Sequence, residues 1–239
     1  MVSIDQLLDA LGESPATIHR DLSFLSKNGF ISRSHGYVRF RQPAFIQNIE
    51  ITEEKTAVAR AAAAMIPPDT MICVDSGVFT LALARQISGR SDISVMTNSL
   101  SVANALAPTN VATYITCGCL DGRQEAILGP EAEEYIRSMR FPLLFLTTTG
   151  VRSTQGLVCV TPSQATMKRA LLQSAQKTIL LTDSKAFQTD SVRVFATFDE
   201  IDAIILDRPL NNARLEQFLI QKGTEVIVAN GCPGCLSTE

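Results

Sequence analysis

The sequence is poor in histidine and lacks the glycine-rich motifs that bind nucleotides. Its two histidines are His19 and His35, and none follows them in the chain. The chain after His35 therefore lacks the side chain most often used in general acid–base catalysis, although carboxylates remain possible catalysts. Since neither a dinucleotide-binding fingerprint nor a P-loop is present, nicotinamide and nucleoside-triphosphate chemistry have no support.

Long apolar runs and a secretory leader are also lacking. No run approaches the roughly 18 apolar residues that a membrane-spanning helix needs. We therefore expect a soluble, cytoplasmic protein with no membrane partner.

The six cysteines do not suggest a disulfide framework in a chain of 239 residues. Cys232 and Cys235 are spaced like a redox pair or half of a metal site, and with Cys117 and Cys119 they could form a four-thiolate zinc site. We favour the alternative that Cys232 and Cys235 belong to a flexible tail. No metal and no cofactor is therefore expected.

The net charge of −3 conceals a basic segment near the start of the chain. Residues 13–41 hold five lysines and arginines against two acidic residues, and both histidines lie there. A cationic patch on an otherwise acidic protein indicates a phosphate-bearing partner, although a charge this small is equally typical of a solvated surface.

Two short helices with marked ends are predicted in this part of the chain. The first opens with the capping-box pair Ser3 and Gln6. It carries one apolar stripe at helical spacing: Ile4, Leu7, Leu8 and Leu11. Ser14 and Pro15 suit the start of the second helix, and Asn28-Gly29 supplies a left-handed stop. The outward side of this second helix is small, polar and cationic: Ala16, Thr17, His19, Arg20, Ser23 and Lys27.

Residues 30–40 predict a two-stranded hairpin that turns at His35-Gly36. With the two helices, it indicates a winged helix-turn-helix that binds double-stranded DNA. The candidate DNA contacts lie on the second helix and the hairpin: Ser14, Thr17, His19, Arg20, Arg33, His35 and Arg39. We expect Arg20 to contact a base edge or a phosphate, and the three hairpin residues to brace the wing. Such a domain needs three helices, and the first is apparently missing. Either it lies upstream of Met1, or the domain is truncated and its apolar stripe is partly uncovered.

The chain changes character after a predicted linker at residues 41–52. The DNA-binding domain is assigned to residues 1–40, a sensor domain to 53–230 and a tail to 231–239. In the sensor domain, helical segments alternate with seven predicted strands: 71–75, 93–97, 111–116, 143–148, 178–183, 203–207 and 225–229. This alternation predicts an α/β fold with a mostly parallel sheet covered by helices.

Polar and glycine residues recur where the predicted strands end. Ligands of open parallel sheets bind outside the carboxyl ends of the strands, so these residues predict an effector site. Its candidates are Asp75, Ser76, Gly77, Val78, Phe79, Thr80, Asn98, Ser99, Gly118, Asp183 and Lys185. Backbone amides at Ser76-Gly77 and the hydroxyls of Ser76 and Thr80 would hold an anion such as a phosphate. Lys185 would be its counter-ion, while Asp75 and Asp183 would accept hydrogen bonds from sugar hydroxyls.

Residues 14–22 and 29–36 together resemble the DNA-binding module of DeoR-type bacterial transcriptional regulators. The rest of the chain resembles the sensor domain of that family. The matching positions are Asp75-Ser76-Gly77, Thr97-Asn98-Ser99, Gly118, Gly129, Gly150, Gly156, Lys168 and Asp183-Ser184-Lys185. The resemblance implies a repressor of a carbohydrate-utilisation operon that leaves DNA when a phosphorylated sugar binds. It also implies a sensor fold similar to ribose-5-phosphate isomerase and assembly as a homo-oligomer, either a dimer or a tetramer.

Three residue patterns depart from that family. His19 stands in place of a second arginine, which removes a fixed positive charge beside Arg20. Val78 and Phe79 replace two threonines, which deletes two hydroxyl donors from the expected phosphate loop. The sequence Cys117-Gly118-Cys119 interrupts the usual paired glycines.

Two alternatives remain open at the level of sequence. The first is a sugar-phosphate isomerase or related enzyme that uses Asp75, Asp183 and Lys185. The second is a repressor whose effector pocket has decayed, so that it represses constitutively. We favour a regulator with no catalytic residues.

Arg20 provides a direct test of the predicted DNA interface. Arg20→Ala is expected to weaken operator binding by about 1–3 kcal/mol, because one charge-assisted contact to a base or phosphate is lost. A gel-shift titration at fixed salt measures this difference. Unchanged affinity would contradict a DNA-contacting role for Arg20.

Overall fold

The computed structural model describes residues 2–27, 31–34, 36–40, 51–189 and 193–229. It divides into an N-terminal unit, Met1–Ile49, and a C-terminal unit, Glu50–Glu239. The predicted tail and most of the predicted linker lie outside the described residues. Within the described residues, every helix is too short or too polar to span a lipid bilayer.

The N-terminal unit combines two helices with a small antiparallel sheet. Its helices are α1 (Ile4–Leu11) and α2 (Pro15–Lys27). Its strands are β1 (Val2–Ser3), β2 (Ile31–Ser34) and β3 (Tyr37–Phe40), in the order β1-β3-β2. The predicted hairpin corresponds to β2 and β3, whereas β1 was not predicted. The Ser3–Gln6 capping box is present, with the Gln6 amide 3.1 Å from the Ser3 hydroxyl.

A small core holds the N-terminal unit together. Ile18 and Leu22 of α2 are buried against Ile31 of β2 and Val38 of β3. Ile4, Leu7, Leu8 and Leu25 are partly buried and pack around this group. No residue of α1 is buried, and Leu11 is 59% exposed. The apolar stripe of α1 is thus only partly covered within the described residues.

The C-terminal unit is built on a seven-stranded sheet in which every neighbouring pair is parallel. Its strands are β4 (Thr70–Val74), β5 (Ile93–Thr97), β6 (Ala112–Ile115), β9 (Phe141–Thr147), β12 (Ala175–Leu181), β14 (Ala203–Leu206) and β15 (Glu225–Val228). Their order across the sheet is β15-β14-β12-β9-β4-β5-β6. Each of the seven predicted strands has a counterpart here, so the predicted parallel α/β architecture is confirmed.

Helices cover both faces of this sheet, which explains why its strands are apolar on both sides. They are α3 (Glu53–Ala64), α4 (Val78–Ile87), α5 (Leu100–Leu106), α6 (Pro130–Arg137), α7 (Pro162–Ser174) and α8 (Ala213–Gln221). Residues of α3, α4 and α5 form one buried cluster with one face of the strands. Residues of α6, α7 and α8 form a second cluster with the other face. Neighbouring residues such as Leu144 and Phe145 in β9 therefore enter different clusters.

Five short strands were not predicted. They are β7 (Cys119–Asp121), β8 (Ala126–Leu128), β10 (Gly150–Arg152), β11 (Gly156–Cys159) and β13 (Arg193–Ala196). All pair antiparallel, β7 with β8 and β11 with both β10 and β13. Three of the five, β7, β8 and β10, have only three residues, which is too short to show a period.

The β11–β13 pairing requires a glycine at position 156. Gly156 has φ +135°, and a Cβ there would overlap the carbonyl oxygen of Ala196. Gly156→Ala should therefore reduce the free energy of unfolding by about 1–3 kcal/mol through overpacking and backbone strain. Urea unfolding measures this change.

Gly89→Ala is the matched control. A Cβ at Gly89 would meet no atom within 4 Å. Its effect should stay within about 0.5 kcal/mol, as is usual at surface positions. Equal effects of the two substitutions would contradict the steric role of Gly156.

Candidate functional site

The second helix of the N-terminal unit starts where the sequence predicted. The hydroxyl oxygen of Ser14 accepts a hydrogen bond from the Thr17 amide at 3.2 Å and lies 2.9 Å from the Thr17 hydroxyl. Ser14 therefore caps α2, and Thr17 is tied to that cap.

Arg20 is the most accessible cation among the described parts of α2. Its side chain is 79% exposed, and its Nε lies 3.5 Å from the carboxylate of Asp21, whose side chain is 60% exposed. An exposed pair of this length adds little stability, so the guanidinium can exchange partners readily. His19 is also exposed, while Thr17 is half-buried. The outward side of α2 thus keeps the polar, cationic character that the sequence predicted.

The two hairpin arginines do not act on the same side of the sheet. Arg33 pairs in register with Val38, and Arg39 pairs with Ser32. Because side chains alternate along a strand, Arg33 lies on the face that buries Ile31 and Val38, and Arg39 lies on the opposite face. The two arginines, both of which were expected to brace the wing, therefore lie on opposite faces of the hairpin. The third hairpin candidate, His35, lies outside the described residues.

A buried ion pair lies at the carboxyl end of the central strands in the C-terminal unit. Asp75 follows β4 and is 1% exposed, and Lys168 of α7 is 4% exposed. The Lys168 ammonium pairs with the Asp75 carboxylate and donates to the Thr147 carbonyl at 2.9 Å. The Thr147 amide and hydroxyl lie 3.2 Å and 3.0 Å from the same carboxylate. Asp75, Lys168 and Thr147, which we call the edge cluster, join β4, β9 and α7.

The edge cluster also fixes the loop that opens α4. The Thr147 hydroxyl lies 2.9 Å from the Ser76 carbonyl oxygen. A Cβ at Gly77 would come within 2.7 Å of the same hydroxyl oxygen. Any larger residue at position 77 would therefore displace Thr147. Ser76 and Gly77, two predicted anion-binding residues, are half-buried here, and no side chain caps the start of α4.

Two of the predicted effector residues have structural roles instead. Asp75 was expected to accept hydrogen bonds from sugar hydroxyls, but its carboxylate is buried and paired with Lys168. Thr80 was expected to donate to an anion, but it is fully buried and its hydroxyl donates to the Gly77 carbonyl at 2.9 Å. In both cases, strand-end residues satisfy buried polar groups of the fold.

The segment after β5 is buried as well. Ser99 is 1% exposed, and its hydroxyl accepts from the Val102 amide at 3.2 Å to cap α5. Asn98 is 1% exposed, and within the described residues neither its amide nitrogen nor its amide oxygen has a hydrogen-bond partner. Buried side-chain amides are normally satisfied by protein, ligand or ordered water, so Asn98 has unused hydrogen-bonding capacity at this edge of the sheet.

Gly118 was expected to let the backbone approach a ligand. A Cβ at this position would lie 2.8 Å from the Leu128 carbonyl oxygen and 2.9 Å from the Ala132 Cβ. The close neighbours of Gly118 thus belong to β8 and α6, which corrects the predicted role. Packing within the protein requires this glycine.

A cavity of about 200 Å³ brings together three of the predicted effector residues, Phe79, Asp183 and Lys185. It lies at the carboxyl edge of the sheet, where β12 and β14 end. The other residues that line this edge cavity were not predicted: Thr52, Glu54, Lys55, Asp207 and Arg208. Three cations and three carboxylates therefore share the cavity.

The carboxylates of the edge cavity are largely committed to the protein. Asp183 accepts from the Ala186 amide at 3.0 Å and caps a 3-10 helix, Ser184–Gln188. Asp207 accepts from the Ser184 amide at 2.7 Å and from Arg208 Nε at 2.9 Å. Burial would raise the pKa of Asp207, but these hydrogen bonds outweigh it and hold that pKa below its usual value. Lys185 is exposed and Lys55 is half-buried.

Three residues at this edge were not predicted as site residues: Lys168, Asp207 and Lys55. Lys168 was, however, among the positions that resemble the family. Lys168 occupies the buried side of α7, three residues after Ala165 and four before Leu172. A lysine at such a position signals a buried partner, but the partner, Asp75, is 93 residues away. Asp207 ends a predicted strand, so the rule that located Asp183 also applied to it. Lys55 lies near the start of α3 and does not follow a strand, so the strand-end rule did not apply to it.

A larger cavity of about 700 Å³ is lined by Cys119, Leu120, Asp121, Gly122, Arg123, Leu128, Gly129 and Ser163. None of the predicted effector residues lines it. Cys117 and Cys119 are exposed free thiols, while Cys232 and Cys235 lie outside the described residues. In the described part of the chain, no group of three or more histidine, cysteine, aspartate or glutamate residues could hold a metal ion.

Comparison with known protein families gives two matches that together cover most of the chain. Residues 1–44 match the DeoR-like helix-turn-helix domain. Residues 50–208 match the DeoR C-terminal sensor domain.

Curated relatives are similar along most of their length. The HTH-type transcriptional regulator GlpR of Haloferax volcanii is 33% identical over 215 residues, which cover 87% of this chain and 84% of the relative. The putative aga operon transcriptional repressor of Escherichia coli O157:H7 is 30% identical over 236 residues, covering 95% and 87%. The glycerol-3-phosphate regulon repressor of E. coli K12 is 27% identical over 214 residues, covering 87% and 85%.

Among solved structures, ribose 5-phosphate isomerase A of Methanocaldococcus jannaschii is similar with a TM-score of 0.43 and 12% sequence identity. The match covers 59% of this chain and 54% of that one. A similarity this low supports no inference about ligand or activity.

The edge cluster predicts a strong coupling between Asp75 and Lys168. Asp75→Asn or Lys168→Met alone should lower the free energy of unfolding by about 3–5 kcal/mol, because each leaves one buried charge unpaired. The double variant should recover most of that loss, since no buried charge remains. Chemical denaturation of the four proteins measures the coupling.

An exposed ion pair provides the control. Arg60 and Glu53 lie 3.4 Å apart, and their side chains are 49% and 70% exposed. Breaking this pair should cost at most about 1 kcal/mol. If the double variant loses as much free energy of unfolding as the two single variants together, the pairing of Asp75 with Lys168 in the edge cluster is contradicted.

Proposed function

The chain belongs to the DeoR family of transcriptional regulators, and on this premise we propose that it represses a carbohydrate-utilisation operon until a phosphorylated sugar releases it from DNA. The observation that carries the effector half of this proposal is the edge cavity with its three cations, Lys55, Lys185 and Arg208. The relatives named above are transcriptional regulators, and the chain is a regulator and not an enzyme.

The DNA-binding half rests on the outward side of α2. This helix is capped at Ser14 and presents the exposed Arg20 and His19, as a recognition helix in the major groove would. A homo-oligomer, either a dimer or a tetramer, completes the proposal, because two copies of the helix related by two-fold symmetry read two half-sites of an operator.

The effector part of the proposal rests on the positively charged side chains that line the edge cavity. Arg208 is paired with Asp207, while Lys55 and Lys185 supply the further positive charges. A phosphate is bound in proteins by such cations together with backbone amides at helix starts. Binding cavities for drug-sized ligands span about 300–1,000 Å³. A volume of about 200 Å³ therefore suits a small phosphorylated metabolite.

Asn98 supports a ligand that carries hydroxyl groups. It follows β5, the strand adjacent to β4, and its buried amide has no partner within the described residues. A sugar hydroxyl can both donate to and accept from such an amide. Phosphate-binding cations and an amide at the same edge of the sheet match the two chemical features of a sugar phosphate.

The edge cavity also lies where the chain enters the C-terminal unit. Thr52, Glu54 and Lys55 line it, and they directly follow the segment that leads from the DNA-binding unit. A ligand can shift an equilibrium only through a difference in its affinity for the two states. An anion that contacts Lys55 acts on the first helix after that segment, which gives effector binding a route to DNA affinity.

A constitutive repressor is the second candidate, and Phe79 is the observation that favours it. Phe79 lines the edge cavity and is 7% exposed within the core beneath it. An aromatic ring replaces a hydroxyl donor there and narrows the space for a phosphate.

Threonines at positions 78 and 79 are expected to increase affinity for sugar phosphates. The structure adds that Phe79→Thr also removes buried packing, so affinity has to be compared between folded proteins.

A ligand screen combined with substitution of Lys185 distinguishes an effector-controlled repressor from a constitutive one. Glycerol 3-phosphate, pentose phosphates and hexose phosphates are screened by thermal unfolding. A ligand at 100 times its dissociation constant stabilises the folded state by about 2.7 kcal/mol. At least one compound should raise the unfolding temperature and release DNA in an anisotropy titration. Lys185→Met should abolish both effects, because it removes the counter-ion of the phosphate.

Lys177→Met is the matched control. Lys177 is exposed near the amino end of β12, whereas Lys185 follows the carboxyl end of the same strand. Its removal should leave the ligand response unchanged. If no compound raises the unfolding temperature of the wild-type protein, constitutive repression is favoured. If Lys185→Met retains the full response, the effector binds elsewhere.

A further inference from the structure

Arg33 reaches across from the hairpin to the outward side of the recognition helix. One guanidinium nitrogen donates to the Ser23 hydroxyl at 3.1 Å, and the other lies 3.0 Å from His19 Nδ1. The Ser23 hydroxyl in turn donates to the His19 carbonyl at 2.7 Å. These three exposed side chains connect β2 with one turn of α2.

The register of the hairpin explains why Arg33 can do this. Ile31, two residues earlier in β2, is buried against α2 together with Val38, the residue opposite Arg33. Arg33 therefore extends from the face of the hairpin that packs on α2. Arg39, on the other face, cannot make the same contact.

The contact with Arg33 determines which ring nitrogen of His19 carries a proton. Arginine has only N–H donors and no acceptor, and it stays protonated in proteins. His19 Nδ1 must therefore accept the hydrogen bond, so it carries a lone pair. The proton of the neutral ring is then on Nε2, on the far side of the imidazole from Arg33.

We propose that His19 and Arg33 form a single base-reading unit, in which Arg33 holds His19 so that Nε2–H donates to a base in the major groove. This inference deepens the proposed function and rests on the DNA-binding part of it. In the major groove, guanine offers the acceptors O6 and N7, whereas the exposed amino group of cytosine is a donor. A fixed Nε2–H therefore selects an acceptor, with guanine favoured over cytosine at one position of each half-site.

Arg33 is a positioning residue in this arrangement. Its guanidinium also places a fixed positive charge beside His19, at a position on the helix flank where the sequence itself supplies only a neutral ring. Arg20, 79% exposed on the same helix, remains a separate contact. Removing Arg33 should therefore weaken the base preference at the position that His19 contacts, besides weakening the binding.

The first experiment determines the tautomer of His19 in the absence of DNA. Nitrogen-15 NMR of the full chain at neutral pH should show His19 protonated at Nε2 and unprotonated at Nδ1. Arg33→Ala should move the Nδ1 resonance, because its hydrogen-bond donor is lost. A proton on Nδ1 in the wild-type protein, or identical ring resonances in both proteins, would overturn the inference even if DNA binding is established.

The second experiment reads base preference. The full chain selects its site from a randomised double-stranded DNA library, and affinities for all single-base variants of that site are measured by anisotropy at fixed salt. One good base contact corresponds to about 5- to 150-fold discrimination. His19→Ala and Arg33→Ala should each flatten the preference at the same position, and the double variant should flatten it no further.

Arg39→Ala is the matched control from the opposite face of the hairpin. It should weaken binding to every sequence by a similar factor and leave the preference intact, as loss of a phosphate contact does. If Arg33→Ala behaves like Arg39→Ala, or if His19→Ala leaves every preference unchanged, the base-reading unit is refuted. If the wild-type chain enriches no sequence, both this inference and the DNA-binding proposal fail.

Discussion

The buried pair of Lys168 and Asp75 is the interaction on which the carboxyl edge of the central sheet depends. Taking two charges out of water costs several kcal/mol per ion, which only close pairing and further hydrogen bonds can offset. Thr147 supplies those bonds through its carbonyl, amide and hydroxyl groups. The Phe195 ring lies 5.6 Å from the Lys168 ammonium and adds a cation–π contact. Because the same Thr147 hydroxyl lies next to Ser76 and Gly77, the pair also determines how the chain turns into α4 and where Phe79 enters the edge cavity.

The sequence predicted the sheet well because the physical signal for it is strong. Parallel strands buried on both faces are continuous apolar runs, and a strand such as Ile93–Thr97 is bounded by polar residues at both ends. The roles of strand-end residues were harder to predict. A polar residue at a strand end can face a ligand or satisfy a buried group, and Asp75 and Asp183 look alike in the sequence. Only the three-dimensional position of Lys168 separates them, and a pairing across 93 residues leaves no local pattern.

The N-terminal unit shows the same limit on a smaller scale. Caps, helical spacing and the hairpin turn are local, so α2 and its outward side could be predicted from neighbouring residues. The direction of Arg33 depends on the register of β2 with β3, and a one-residue slip moves a side chain to the other face. Buried Ile31 fixes that register. Counting alternate residues separately in each strand, from buried Ile31 in β2 and from buried Val38 in β3, separates Arg33 from Arg39.

Two lysines at the carboxyl edge differ in how accessible their positive charge is to an anion. Lys168 is 4% exposed, and its charge is already neutralised by Asp75. An anion that competed for it would leave the Asp75 carboxylate buried without a partner, at a cost of about 3–5 kcal/mol. Lys185 is exposed, and an anion can approach it without breaking a buried pair. In the proposed effector complex, an anion therefore gains more from exposed Lys185 and half-buried Lys55 than from Lys168, because the edge cluster stays intact. On that proposal, the buried pair holds this edge of the sheet in one geometry, and Lys185 and Lys55 are the lysines that respond to the ligand.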